Sequence, residues 1–287
     1  MTLQLPHGRT LPLGRFPAVM AILNVTPDSF SDGGLLSDAK AAVEAGLRAA
    51  DAGAAIVDVG GESTRPRGKT YGEGARAVGA EEELSRVLPV VRGLRAARPS
   101  LPISVDTRKA AVARAALDEG ADAINVVTGL DTDPELLSLV ARHGAALVLN
   151  HCRGTPETTF TVSRFADVVA DVGADLTAAR ERAVAAGVPV DRIVVDPGFG
   201  FGKSPAESYA LLAHLADLEP SAAPLLVGAS RKGFLDVAGV PANERLPESL
   251  AAVALAARAA AHRPVIVRVH DAAETVRFLR VLAKGAS

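Results

Sequence analysis

Two aspartates stand directly behind short β-branched runs, Asp106 after Ile-Ser-Val and Asp196 after Ile-Val-Val. A carboxylate emerging from a buried strand needs partners. Each has a plain structural use as a helix cap, since Asp106 precedes Thr107-Arg108 and Asp196 precedes Pro197-Gly198. Two such groups on one rim, with Asn125 between them in chain order, favour a ligand. Two carboxylates and an amide suit a flat heterocycle rich in N–H donors, such as an aminopyrimidinone.

Other chemistry-bearing residues also follow apolar runs. Asp196 opens the string DPGFGFGK, whose glycines let backbone approach a ligand closely and whose Phe199 and Phe201 offer aromatic faces. The alternative is a glycine-rich turn whose phenylalanines fall into the core. Ser230-Arg231-Lys232 follows a later run, and Arg268-Val-His270-Asp271 follows the last. Strand alternation points Arg268 and His270 the same way, which makes an anion site by charge-assisted bonds. A salt-bridged Arg268 beside a capping His270 is the alternative. The segments 24–34 and 60–74 are long, polar and rich in glycine, as covering loops or plain insertions are. His151-Cys152 has no His or Cys partner at ligand spacing, so neither metal nor thiol chemistry is read there.

The elements that must position these groups are legible as periodicity. Eight apolar runs, at 19–23, 55–59, 103–105, 123–127, 146–149, 193–195, 225–227 and 265–269, read as strands buried on both faces of a parallel sheet. Helical patterns lie between them, at 37–52, 81–97, 108–119, 133–142, 163–186, 205–213, 247–262 and 272–283. Eight strands each followed by a helix predict an α/β fold, a (β/α)8 TIM barrel, as one domain over 1–287. An open doubly wound sheet would carry a phosphate loop at its first helix, and no G-x-G-x-x-G stands there. The residues 2–14, two short runs around His-Gly, predict a β-hairpin closing the N-terminal mouth. In a barrel the chemistry sits where strands end, and here that rim collects carboxylates, amides and cations.

Composition narrows the class. The chain has 287 residues, a net charge of −2 and 48% hydrophobic residues, which is a folded globular protein without the basic surface of a nucleic-acid binder. One cysteine excludes an internal disulfide framework. No run approaches a membrane span and the N-terminus lacks a signal-peptide core, so a cytoplasmic protein is expected.

Six strings together resemble the dihydropteroate synthases of the folate pathway: NVTPDSFSDGG at 24–34, DVGGESTRP at 58–66, SVDTRK at 104–109, DPGFGFGK at 196–203, SRK at 230–232 and RVHD at 268–271. The resemblance runs from about Val19 to the C-terminus and implies a (β/α)8 barrel, usually a homodimer. It implies an enzyme joining dihydropterin-CH2-pyrophosphate to 4-aminobenzoate, and hence a sulfonamide target. By motif position, Asp106, Asn125 and Asp196 grip the pterin N–H edge, with Lys232 at its carbonyl and ring-nitrogen side. Arg268, His270 and Asn24 hold the pyrophosphate, Asn24 through Mg2+. Thr64, Arg65 and Phe30 close over 4-aminobenzoate, and Ser230, Phe201 and Pro66 line its site. Asp106, Lys232, Arg268 and His270 are the catalytic set. The chain departs from the family at Val126, where an acid is common, at Asn150, where a pocket-lining Met is common, at Gly233, and in a longer second loop.

Two other readings use the same residues. A noncatalytic relative would hold a pterin without transferring it, and would lack part of the pyrophosphate set. A folate-dependent methyltransferase of the same superfamily would lack Ser-Arg-Lys and both loop motifs. The segment 247–262 is too apolar for a solvent-facing helix, and predicts a two-fold dimer interface.

Overall fold

A computed structural model describes residues 1–25, 39–62, 78–220 and 222–285. The chain opens with β1 (Thr2–Gln4) and β2 (Thr10–Pro12), an antiparallel hairpin in which Leu3 pairs with Leu11. Its turn requires two left-handed residues in succession, His7 at φ 57° and Gly8 at φ 72°. Glycine adopts that conformation without a Cβ clash.

Strands and helices then alternate. In order they are β3 (Ala18–Asn24), α1 (Ala39–Ala52), β4 (Ile56–Gly60), α2 (Ala80–Ala97), β5 (Ile103–Asp106), α3 (Ala110–Asp118), β6 (Ala123–Val126), α4 (Pro134–His143) and β7 (Ala146–Asn150). The short α5 (Thr159–Val162) and α6 (Val168–Ala185) follow, then β8 (Ile193–Asp196), α7 (Pro205–Ala213), β9 (Leu225–Val227), α8 (Leu246–Ala259), β10 (Val265–Val269) and α9 (Ala272–Gly285). The strands β3 to β10 close into a barrel in chain order, with β10 pairing in parallel to both β9 and β3. Closure excludes the open-sheet alternative.

Side chains separate by strand parity. Val57, Val105, Leu147, Val195 and Val267 point outward into the large core shared with the helices. Their neighbours Met20, Ile56, Val148, Val194, Leu226 and Ile266 point inward, packed with Leu3, Leu5, Leu11 and Leu13 of the hairpin. The hairpin therefore plugs the N-terminal mouth, as the sequence predicts. Arg9, just before β2, donates through Nε to Asp122 Oδ1 at 2.6 Å and ties the plug to the barrel. Continuing the inward parity toward the strand C-termini gives Asn24, Asp58, Asp106, Asn125, Asn150, Asp196 and Arg268. The lumen is thus apolar at its floor and polar at its mouth.

The helices differ from the expected ones at several ends, among them the helix expected to 262, which stops at Ala259. The pattern 163–186 is interrupted, because Ser163 ends α5 and Asp167 starts α6 by accepting from the N–H groups of Val169 and Ala170. The helix expected from residue 108 begins at Ala110, since Thr107 Oγ1 accepts from Lys109 N at 3.2 Å. Side-chain oxygens of Thr and Asp compete with the helical ladder in this way. Among the described residues, no helix is long and apolar enough to cross a membrane.

Candidate active site

Asp58 lies at the centre of the mouth, fully buried on β4. Its Oδ2 accepts from Asn125 Nδ2 at 3.0 Å and from Arg268 Nε at 2.6 Å. A terminal guanidinium nitrogen of Arg268 also donates to Asp106 Oδ2 at 2.9 Å. One network therefore joins β4, β5, β6 and β10. Burial raises the Asp106 pKa well above the usual carboxylate range, against the pull of Arg268 and with a further push from Asp58.

The second cluster surrounds Asp196. Its Oδ1 accepts from Gly198 N at 2.7 Å, as a turn cap would, while Oδ2 accepts from Asn150 Nδ2 at 3.3 Å. Burial raises its pKa, and Lys232 is the first charge opposing that rise. Lys232 Nζ donates to the Phe199 carbonyl and lies 4.5 Å from the centre of the Phe201 ring, a cation–π distance. Burial lowers the Lys232 pKa to about 8, with Asp196 pulling it back up.

The glycine-rich string divides its aromatics. Phe199 is fully buried and stacks on Phe234 at 5.7 Å, so it belongs to the core. Phe201 lies beneath Lys232, buried in a small cluster with Val127 and Cys152. Ser230-Arg231-Lys232 divides likewise. Arg231, at φ 59°, turns away and grips Asp271 with Nε at 3.1 Å and a terminal nitrogen at 2.5 Å. Lys232 turns inward.

His270 stands at the rim, where Ser230 Oγ lies 3.0 Å from its Nδ1 and accepts from its backbone N–H at 3.2 Å. The surrounding protein, and then Arg231 and Arg268, push its pKa down. Arg268 is salt-bridged and also faces the mouth, so the two readings of that residue describe one geometry. Asn24 ends β3. Gly60, its register partner on β4, leaves a gap where a Cβ would lie 3.4 Å from Asn24 Oδ1 and 3.7 Å from the Asp106 Cβ. Thr64, Arg65, Pro66 and Phe30 lie outside the described residues.

Sequence reasoning missed two groups. Asp58 was only one letter of a motif, although its inward parity on β4 was a usable signal. Lys203 ends the glycine string and is 2% exposed. Its Nζ donates to the carbonyls of Gly198 at 3.0 Å and Phe201 at 3.1 Å, and lies 2.9 Å from His151 Nδ1. His151 Nε2 meets Asp175 at 3.1 Å, which assigns its N–H there and leaves Nδ1 to accept from lysine. Burial lowers the Lys203 pKa to about 7. Burial and then Lys203 lower that of His151 to about 4. His151 is thereby committed to a packing network, and burial pushes the Cys152 thiol up, keeping it protonated. Among the described residues, no group of three His, Cys, Asp or Glu side chains converges as a metal site.

A closed parallel barrel with carboxylates, amides and cations at the C-terminal mouth is an enzyme of the barrel class. Residues 20–270 match the model of the pterin binding enzyme family. The dihydropteroate synthase of Escherichia coli (strain K12) is 44% identical over 277 residues, 96% of this chain and 94% of that protein. The Yersinia pestis dihydropteroate synthase, solved in complex with a sulfonamide drug, superposes with a TM-score of 0.89 at 41% identity, covering 100% of both chains. The Xanthomonas albilineans enzyme, solved with 7,8-dihydropteroate, gives a TM-score of 0.85 at 40% identity, over 100% of this chain and 99% of that one. The chain belongs to the pterin binding enzyme family. Within it, these relatives are the dihydropteroate synthases.

Proposed function

We propose that this chain condenses (7,8-dihydropterin-6-yl)methyl diphosphate with 4-aminobenzoate to give 7,8-dihydropteroate and pyrophosphate, the dihydropteroate synthase reaction. The observation that carries this is the buried Asn125–Asp58–Arg268–Asp106 network, with Asp196 and Lys232 on the same rim. It offers acceptors for an N–H-rich heterocycle beside cations for its leaving anion. The relatives' names and the bound product of one of them support the same reaction.

Asp196 and Asn125 take the pterin N–H edge, with Lys232 at its carbonyl side. Arg268, His270 and Asn24 take the diphosphate. The C–O bond from the exocyclic methylene to the diphosphate breaks early, and the positive charge spreads into the pterin ring. Asp106 faces that charge, while Arg268 stabilises the departing anion. The neutral aniline nitrogen of 4-aminobenzoate then attacks the methylene and passes a proton to the released pyrophosphate. A positioned charge of this kind is worth about 10²–10³ in rate. Ser230 and Phe201 line the 4-aminobenzoate site, to which Thr64, Arg65, Pro66 and Phe30 are assigned by motif position alone. A sulfonamide, isosteric with 4-aminobenzoate, competes there.

Mg2+ fits the donor set. It takes hard oxygens and keeps several waters, so one amide oxygen, Asn24 Oδ1 beside the gap at Gly60, would be the protein group that holds it. When bound it supplies charge neutralisation at the leaving diphosphate. The chain works in the cytoplasm as a homodimer, with α8 in the interface. That helix presents Ala251 to solvent and half-exposes Ala254 and Leu255.

The test is pyrophosphate release from the pterin diphosphate with Mg2+, with and without 4-aminobenzoate, for wild type and Lys232→Ala. Release that requires 4-aminobenzoate, yields dihydropteroate and collapses in the variant supports the proposal. Tight pterin binding without product overturns it in favour of a binding protein. A concentration-independent monomer mass in solution overturns the dimer.

A further inference from the structure

Asn150 ends β7 on its inward face, in register with Asp196 on β8. The strand parity is that of Val148, whose side chain belongs to the lumen cluster. Asn150 is only 7% exposed. Its Nδ2 donates to Asp196 Oδ2 at 3.3 Å. Its Oδ1 is buried with no hydrogen-bond partner among the described residues. Gly198 covers that oxygen closely, since a Cβ there would lie 2.9 Å away. An asparagine that served packing alone would satisfy both ends of its amide or be replaced by an apolar residue of similar volume. Here one end is left unpaired and the other is spent on a carboxylate of the site.

The Asp196 carboxylate is held from both sides. Gly198 N takes Oδ1 and Asn150 takes Oδ2, which fixes its plane and leaves the remaining lone pairs in the lumen. The charged groups acting on it are Lys232 after β9, Arg268 on β10 and Lys203 after β8. These cations act at longer range. Asn150 supplies a side-chain donor to the oxygen that the backbone does not hold.

We propose that Asn150 is a positioning residue for pterin binding, which holds the Asp196 carboxylate as an oriented acceptor through its Nδ2–H. The proposal rests on the reading of Asp196 as the group that grips the pterin N–H edge. The donor stabilises the charged carboxylate and opposes the effect of burial. Without it, Asp196 takes up a proton at higher pH and presents an O–H where the ligand requires an acceptor. A binding determinant is thus placed on β7, beside those of β6 and β8.

The experiment measures binding of (7,8-dihydropterin-6-yl)methyl diphosphate calorimetrically across pH, without 4-aminobenzoate. The variants are Asn150→Leu, which keeps the branched shape, and Asn150→Met, the residue related chains commonly carry. Both are expected to shift the acidic limb of binding upward by about one pH unit, weakening affinity about tenfold below the limb and recovering toward wild type above it. Packing damage gives no such recovery. On an Asp196→Asn background, Asn150→Leu is expected to have no further effect on the limb. Variants that bind with the limb unmoved, or that weaken by one factor at every pH, overturn the proposal while the functional reading stands. A wild-type chain that does not bind the pterin diphosphate overturns the functional reading and the proposal with it.

Discussion

Arg268 on β10 reaches Asp106 on β5, with a guanidinium nitrogen 2.9 Å from Oδ2. Two strands, β3 and β4, separate them in the barrel order. The contact exists because Arg268 first anchors its Nε on Asp58 at 2.6 Å, which aims the rest of the fork across the mouth. An arginine held by two carboxylates is preorganised, and the developing charge of a leaving diphosphate meets it without reorganisation.

Asp58→Asn keeps the shape of that anchor and removes its charge. Arg268 then loses its aim, and kcat/KM for the pterin diphosphate is expected to fall about 10–100-fold, while KM for 4-aminobenzoate changes little. Arg268→Lys is expected to cost at least as much, since an ammonium cannot make the forked contact. Steady-state kinetics on both variants check this. Wild-type values for Asp58→Asn would show that Asp58 only fills space.

Asp106 sets an acidic limit to the rate. Burial raises its pKa, so it takes up a proton nearer neutrality than an ordinary carboxylate does. The charge that faces the pterin cation is lost as pH falls through that raised value. The kcat profile is therefore expected to decline on the acidic side, and Asp106→Asn to lose about 10²–10³ in rate across the plateau. A pH–rate profile on both proteins checks it.

Lys232 sets the alkaline limit. Its pKa is lowered to about 8 by burial, so the ammonium is present below that value and lost above it. Activity is expected to fall as pH rises through about 8 in wild type. Lys232→Arg, which remains charged throughout, is expected to lose activity at every pH but show no alkaline limb in this range. A limb retained in the arginine variant assigns it to another group.

Asp122 is a stability determinant remote from the chemistry. It is fully buried and accepts from Arg9 at 2.6 Å, Arg95 at 2.6 Å and the Ile103 N–H at 2.9 Å. Asp122→Ala strands two arginines and is expected to cost about 3–5 kcal/mol, as removing one partner of a buried ion pair does. Urea unfolding measures this. Arg9→Met is expected to cost less, because Arg95 and the Ile103 N–H still hold the carboxylate.

What the sequence determined by itself was local. Continuous apolar runs with helical stretches between them specify eight buried strands, because a parallel strand must be apolar on both faces wherever it is covered. Their strand-end positions place Asp106, Asn125, Asp196 and Arg268 on one rim, and motif resemblance adds the reaction. Tertiary structure decided the partners. Parity assigns a side chain to the lumen, but only ring closure places β10 near β5 and so joins Arg268 to Asp106. Only packing sends Phe199 into the core and leaves Phe201 at the site, since both flank glycines and are equally apolar. Likewise Asp271 draws Arg231 away from the lumen while its neighbour Lys232 enters it. Asp58 and Lys203 escaped notice because their importance lies in contacts of long sequence separation, 210 residues for Asp58 with Arg268 and 52 for Lys203 with His151. A linear pattern holds the face of each strand, and the closed barrel alone determines which faces meet.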